Sequence, residues 1–153
     1  MINLKRILVP SDFSESARLA LRYGISFARE YQAELTVLHV VETIAVGYAS
    51  DLFPVPMAEV FQEIAGYARS ELAKLAQEAR DKGVAVVEKV VQGRPAAEII
   101  RVAREDTIDV IVLGTHGKGV LDHALFGSTT EKVVRKAPCP VLTCRLSEHE
   151  FVS

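Results

Sequence analysis

Five short apolar runs alternate along this chain with longer stretches whose apolar residues recur every three to four positions, and that alternation leaves few folds open. The runs are Arg6-Ile7-Leu8-Val9, Leu35 to Val41, Val84 to Val91, Asp109 to Leu113 and Val141 to Cys144. They are short and rich in β-branched residues, as strands buried on both faces are. Between the first two runs, Ala17, Ala20, Leu21, Gly24, Phe27, Ala28 and Tyr31 share one helical face. Between the second and third, Met57, Val60, Phe61, Ile64, Ala68, Leu72, Leu75, Ala76 and Ala79 do the same over a longer helix, which Gly83 is suited to end. Ile99, Ile100 and Ala103 mark a short helix with Pro95 at its first position, and Thr129 to Lys136 carries Val133 and Val134 on another. Strands alternating with helices pair in parallel through right-handed crossovers. The expectation is an α/β fold: a single doubly wound domain with a five-stranded parallel sheet and about four helices on both faces. The 153 residues fit one such domain.

Other stretches carry less pattern. Glu42 to Pro56 includes Gly47 and Pro54 and has no period. It reads as a long connection, first a variable surface loop and otherwise an apolar lid or a dimer contact. Leu121, Ala124, Leu125 and Phe126 make the approach to the last helix partly helical, and the polar tail 145–153 is expected to fray. Asp12 can cap the first helix, with Glu15 three residues on completing a capping-box pair.

Charge and cysteine content narrow the classes of partner. Eighteen Lys and Arg against 20 Asp and Glu leave a formal charge of −2, which argues against a protein that lives on nucleic-acid phosphates or anionic lipid. No apolar run approaches the roughly 20 residues of a membrane helix. The apolar stretch after Arg6 is too short for a signal-peptide core and has no small-residue cleavage site. Cys139 and Cys144 match no zinc spacing and, on one extended strand, would face opposite ways, so a reduced, cytoplasmic setting is expected.

The chemistry concentrates after the fourth run, where Gly114-Thr115-His116-Gly117-Lys118-Gly119 is followed by Gly127-Ser128-Thr129-Thr130 at a helix start. Glycines let backbone approach a bulky anion, and a helix N-terminus offers free N–H groups and a favourable dipole to phosphate. In a doubly wound sheet the ligand lies at the carboxyl ends of the strands where their order reverses, which singles out the loops after strands 1 and 4. This is not a Walker A loop, since Val120 stands where its lysine would be, and it lacks the third glycine of the dinucleotide fingerprint. No paired carboxylates are visible, and His116 has no orienting carboxylate in the pattern, so no catalytic residue and no metal ligand is assigned.

These residues match a family. From Ile7-Leu8-Val9-Pro10-Ser11-Asp12 to Pro138-Cys139-Pro140-Val141-Leu142 the chain resembles the universal stress proteins of the ATP-binding kind. Its most specific element is the G-x2-G-x9-G-[ST] pattern, met by Gly114, Gly117, Gly127 and Ser128, with Thr129 where valine is common. The resemblance implies an ATP-binding stress-response or signalling module whose nucleotide, carrying magnesium or manganese on its phosphates, regulates conformation or partner binding. It places Asp12 beside the adenosine, with Pro10 and Ser11 next to it, and gives Val40 a backbone contact to adenine. Gly114, Thr115, His116 and Gly117 would follow the nucleotide toward its phosphates, which Gly127, Ser128 and Thr129 would hold. Slow ATP hydrolysis or autophosphorylation on Ser128, Thr129 or Thr130 stays open, as does another adenine ligand such as AMP or a cyclic nucleotide. A homodimer through the last strand, Val141 to Cys144, follows from the resemblance and from the tendency of unprotected sheet edges to find partners.

Overall fold

A computed structural model of the chain describes residues 1–43, 56–116, 126–146 and 149–152. Among them five strands alternate with four helices: β1 (Arg6–Pro10), α1 (Glu15–Tyr31), β2 (Glu34–Glu42), α2 (Met57–Asp81), β3 (Val86–Gly93), α3 (Pro95–Glu105), β4 (Val110–Gly114), α4 (Ser128–Lys136) and β5 (Val141–Cys144). The sheet order is β3-β2-β1-β4-β5, with every pair parallel. The chain therefore steps one way from β1 to β3, returns past β1, and steps the other way to β5. With crossovers of one hand, opposite steps put their helices on opposite faces. Accordingly α1 and α2 pack with Ile7, Val9, Leu35, Val37 and Val112. On the other face α3 and α4 pack with Leu8, Leu38, Ile111 and Leu113. Alternate residues of one strand thus enter two separate cores, which is why the strands read as unbroken apolar runs.

Local hydrogen bonds set the element ends. Ser14, and not Asp12, caps α1: its Oγ accepts the Ala17 N–H at 3.3 Å. Asp12 acts one step earlier, where its Oδ1 accepts the Ser14 N–H at 3.0 Å in an Asx turn. α1 closes on Gln32, whose φ of 53° does the work usually left to glycine. α2 ends in a Schellman turn at Gly83, φ 80°, with the Val84 N–H returning to Ala79 O at 3.1 Å. That bond keeps Val84 out of the sheet, so β3 starts two residues later than the apolar run suggests. Asp109 likewise lies outside β4, because its Oδ2 accepts the N–H groups of Lys5 and Arg6 at 2.7 and 2.9 Å.

Residues 149–152 of the tail lie on α1. The Phe151 ring meets Tyr23 edge-on at 4.7 Å, its N–H donates to Tyr23 Oη at 3.3 Å, and Glu150 pairs with Arg22. Cys139 packs on the α3/α4 side and Cys144 in the α1/α2 core, both as free thiols. No helix among the described residues is long and apolar enough to cross a membrane. The long connection 44–55 and the partly helical stretch at 121–125 fall outside the described residues.

Candidate functional site

The order reversal between β1 and β4 opens a crevice at the carboxyl ends of the strands, with a volume of about 430 Å³. That lies within the range of small-molecule sites.

The loop after β1 forms its floor. The Ser11 N–H extends the ladder to Leu38 O at 2.8 Å, and Ser11 Oγ accepts the Phe13 N–H at 3.1 Å. Phe13 is held at φ 64°, a left-handed conformation that bulky residues seldom adopt. Its ring stacks on His39 at 4.6 Å, and His39 Nδ1 lies 2.8 Å from Ser11 O. A carbonyl oxygen can only accept, so Nδ1 carries the proton. The turn so braced presents Asp12 to the crevice.

One flank comes from β2, which outruns β1. Pro10 pairs with Leu38, the last register pair between these strands, whereas β2 stays paired with β3 as far as Glu42 and Gly93. Leu38 O points toward β1, where Ser11 takes it. In a strand the backbone groups two residues on point the same way, so the N–H and C=O of Val40 face the space where β1 has ended. Leu38, Val40, Ile64 of α2 and Pro95 and Ile99 of α3 make this flank apolar.

The opposite flank is the exit of β4 and the start of α4. Gly127 is the N-cap, and its N–H is already taken by Thr115 O at 2.7 Å. Ser128, Thr129 and Thr130 follow as the first helical residues, whose N–H groups have no intrahelical acceptor and receive no side-chain cap. Gly114 passes so close to α1 that a Cβ there would lie 2.8 Å from the Ser16 carbonyl carbon and oxygen. Ser16 Oγ reaches across this approach, donating to His116 O at 2.7 Å. Thr130 Oγ1 donates to Gly114 O at 2.9 Å.

Of the residues singled out from sequence, Pro10, Ser11, Asp12, Val40, Gly114, His116, Gly127, Ser128 and Thr129 line the crevice. Thr115 does not. It is 3% exposed and ties the wall together from behind, its N–H to Cys144 O at 3.0 Å and its C=O to Gly127. Gly117 lies outside the described residues. Sequence reasoning missed Ser14 and Ser16, small polar residues at the start of α1 with no motif of their own, and Ile64, Pro95 and Ile99, which read as helix face and first turn; Thr130, named from sequence at the α4 start, lines the crevice as well. No Lys or Arg is among the described lining residues. The two thiols are poor nucleophiles: burial raises the Cys139 pKa and pushes that of Cys144 to about 11.

The model of the universal stress protein family matches residues 3–145. Universal stress protein MJ0577 of Methanocaldococcus jannaschii is 30% identical, the alignment covering 92% of this chain and 94% of that protein. A solved structure of MJ0577 superposes with a TM-score of 0.86 over 97% of this chain and 100% of that one, at 30% identity. Universal stress protein YxiE of Bacillus subtilis is 34% identical over 92% of this chain and 98% of its own. Two structures at 22% identity share the fold. A universal stress protein in complex with cAMP gives a TM-score of 0.68 over 95% of this chain and 100% of that one. The universal stress protein from Archaeoglobus fulgidus in complex with dAMP gives 0.66, over 94% and 99%.

Proposed function

The chain belongs to the universal stress protein family, and on that premise we propose that its crevice binds ATP and that the bound nucleotide regulates conformation or partner binding in a stress response. The observation that carries this reading is the division of one crevice into an apolar flank and a row of unpaired N–H groups. Adenine would lie against Leu38, Val40, Ile64 and Ile99, with the Val40 backbone offering one donor and one acceptor. Asp12 would meet the ribose, and the phosphates would run along Gly114, His116 and Gly117 to the α4 N-terminus. Magnesium or manganese would arrive on the phosphates, since among the described residues no three His, Cys, Asp or Glu side chains converge on one point. Support for an adenine ligand also comes from the cAMP and dAMP held by two proteins of the same fold.

Backbone donors suffice for a polyanion only when several act together. Micromolar affinity takes about 8.2 kcal/mol, and a hydrogen bond to a charged group contributes about 1.5–3 kcal/mol. Three or four such bonds with one buried base reach that range. The free thiols support a cytoplasmic setting. The exposed edge of β5 supports a homodimer through Val141 to Cys144.

Ser128→Pro tests the phosphate end. Proline is tolerated at the first helical position and removes one N–H. Gly127, at φ −67° and ψ 161°, already has the backbone that precedes a proline. Calorimetric titration should show micromolar ATP binding by the wild type and about a tenfold or greater loss in the variant. An unchanged affinity would remove the α4 terminus from the site.

A further inference from the structure

Three successive carbonyl oxygens where the chain leaves β4 are each met by a donor. Gly114 O accepts from Thr130 Oγ1 at 2.9 Å, Thr115 O from the Gly127 N–H at 2.7 Å, and His116 O from Ser16 Oγ at 2.7 Å. Ser16 and Thr130 are each 4% exposed and both line the crevice. Serine and threonine in a helix commonly bond their own helix backbone. Here both reach out of their helices to the strand exit instead. Ser16 Oγ also accepts the His116 N–H at 3.4 Å, so one hydroxyl meets both backbone polar groups of that residue.

A carbonyl oxygen carries partial negative charge, and its repulsion of an anion grows in a cleft of low dielectric. We infer, on the reading that the crevice holds a nucleotide, that Ser16 and Thr130 are positioning residues that make it tolerate a polyphosphate. Their hydroxyls saturate the carbonyls bordering the phosphate path and fix those peptide planes. At this strand exit the anion then meets N–H groups and the engaged oxygens of Gly114 and His116. The same bonds explain how a flank without a lysine or arginine among its described residues can face several negative charges.

The effect must scale with ligand charge, which separates it from a contact that merely holds the fold. Adenosine, AMP, ADP and ATP are titrated calorimetrically into the full chain as wild type, Ser16→Ala, Thr130→Val and Thr130→Ser, with thermal melts of each. Ser16→Ala and Thr130→Val should weaken ATP binding about tenfold through the repulsion between the released carbonyl and the phosphates, and the loss should shrink with each phosphate removed. Thr130→Ser retains the hydroxyl and should restore the wild-type ladder. Equal losses for adenosine and ATP, or no loss with either, would overturn the inference. If Thr130→Val fails to fold, the Ser16→Ala ladder decides. A wild type that binds none of the four ligands overturns the nucleotide reading itself, and this inference with it.

Discussion

Gly114 shows how one residue can satisfy two demands at once. Its place in the glycine pattern suggests backbone approach to phosphate, and the structure adds a close approach to the first turn of α1. Alanine there would put a methyl group 2.8 Å from Ser16 backbone atoms that cannot turn aside. Gly114→Ala should therefore destabilise the protein by about 1–3 kcal/mol through overpacking. Gly66→Ala in α2, where an added methyl meets nothing within 4 Å, should stabilise it by about 0.5–1 kcal/mol. Urea denaturation of the two variants measures both signs. The spacing of Gly114, Gly127 and Ser128 is legible in the sequence because it is local. The partner that demands the glycine, Ser16, lies 98 positions earlier, and no periodicity reports a contact at that distance. The sequence places Thr130 at a helix start, but the bond of its hydroxyl back to Gly114 O on a strand is not legible there, because a helix-start threonine ordinarily suggests a local bond.

At the scale of elements, the helices of the described residues announce themselves by period and the strands by short unbroken apolar runs, because the helices bury one face and the strands both. Their ends are less legible, since they depend on which hydrogen bond wins. Ser14 and Asp12 are both competent caps by composition. The Asx turn at Asp12 leaves the cap to Ser14 and holds Asp12 at the crevice. Ser14→Ala should cost about 1 kcal/mol, read as a lowered urea midpoint with an unchanged slope. An unaltered midpoint would mean that α1 does not depend on that bond. Gln32 is the opposite case, a left-handed terminus with no glycine to signal it. The sequence places the end of α1 only by the start of the next apolar run.

For the molecule as a whole, alternation predicts parallel strands and helices on two faces, but not which strands are neighbours. The order β3-β2-β1-β4-β5 is a long-range outcome, and it brings two chain segments a hundred residues apart into one crevice. It also leaves β5 at an edge. Pro140 O and Cys144 O point to β4, where Ile111 and Thr115 donate to them. The backbone groups of Val141 and Thr143 therefore point outward, available to a second copy. A particle of twice 16.8 kDa is expected by light scattering. Thr143→Pro, which deletes an outward N–H and leaves the β4 ladder alone, should halve that mass. Equal masses for the two proteins would take β5 out of the interface.

The unequal lengths of β1 and β2 have a consequence of their own. Four residues of β2 continue beyond its last partner in β1, a ledge of about 13 Å. On the proposed reading, that overhang would act as a ruler for the part of a ligand lying along β2, independently of the groups proposed to hold its charged end. Trimming β2 by two residues, with its facing pattern kept, would shorten that ledge to about half and leave the α4 start where it is.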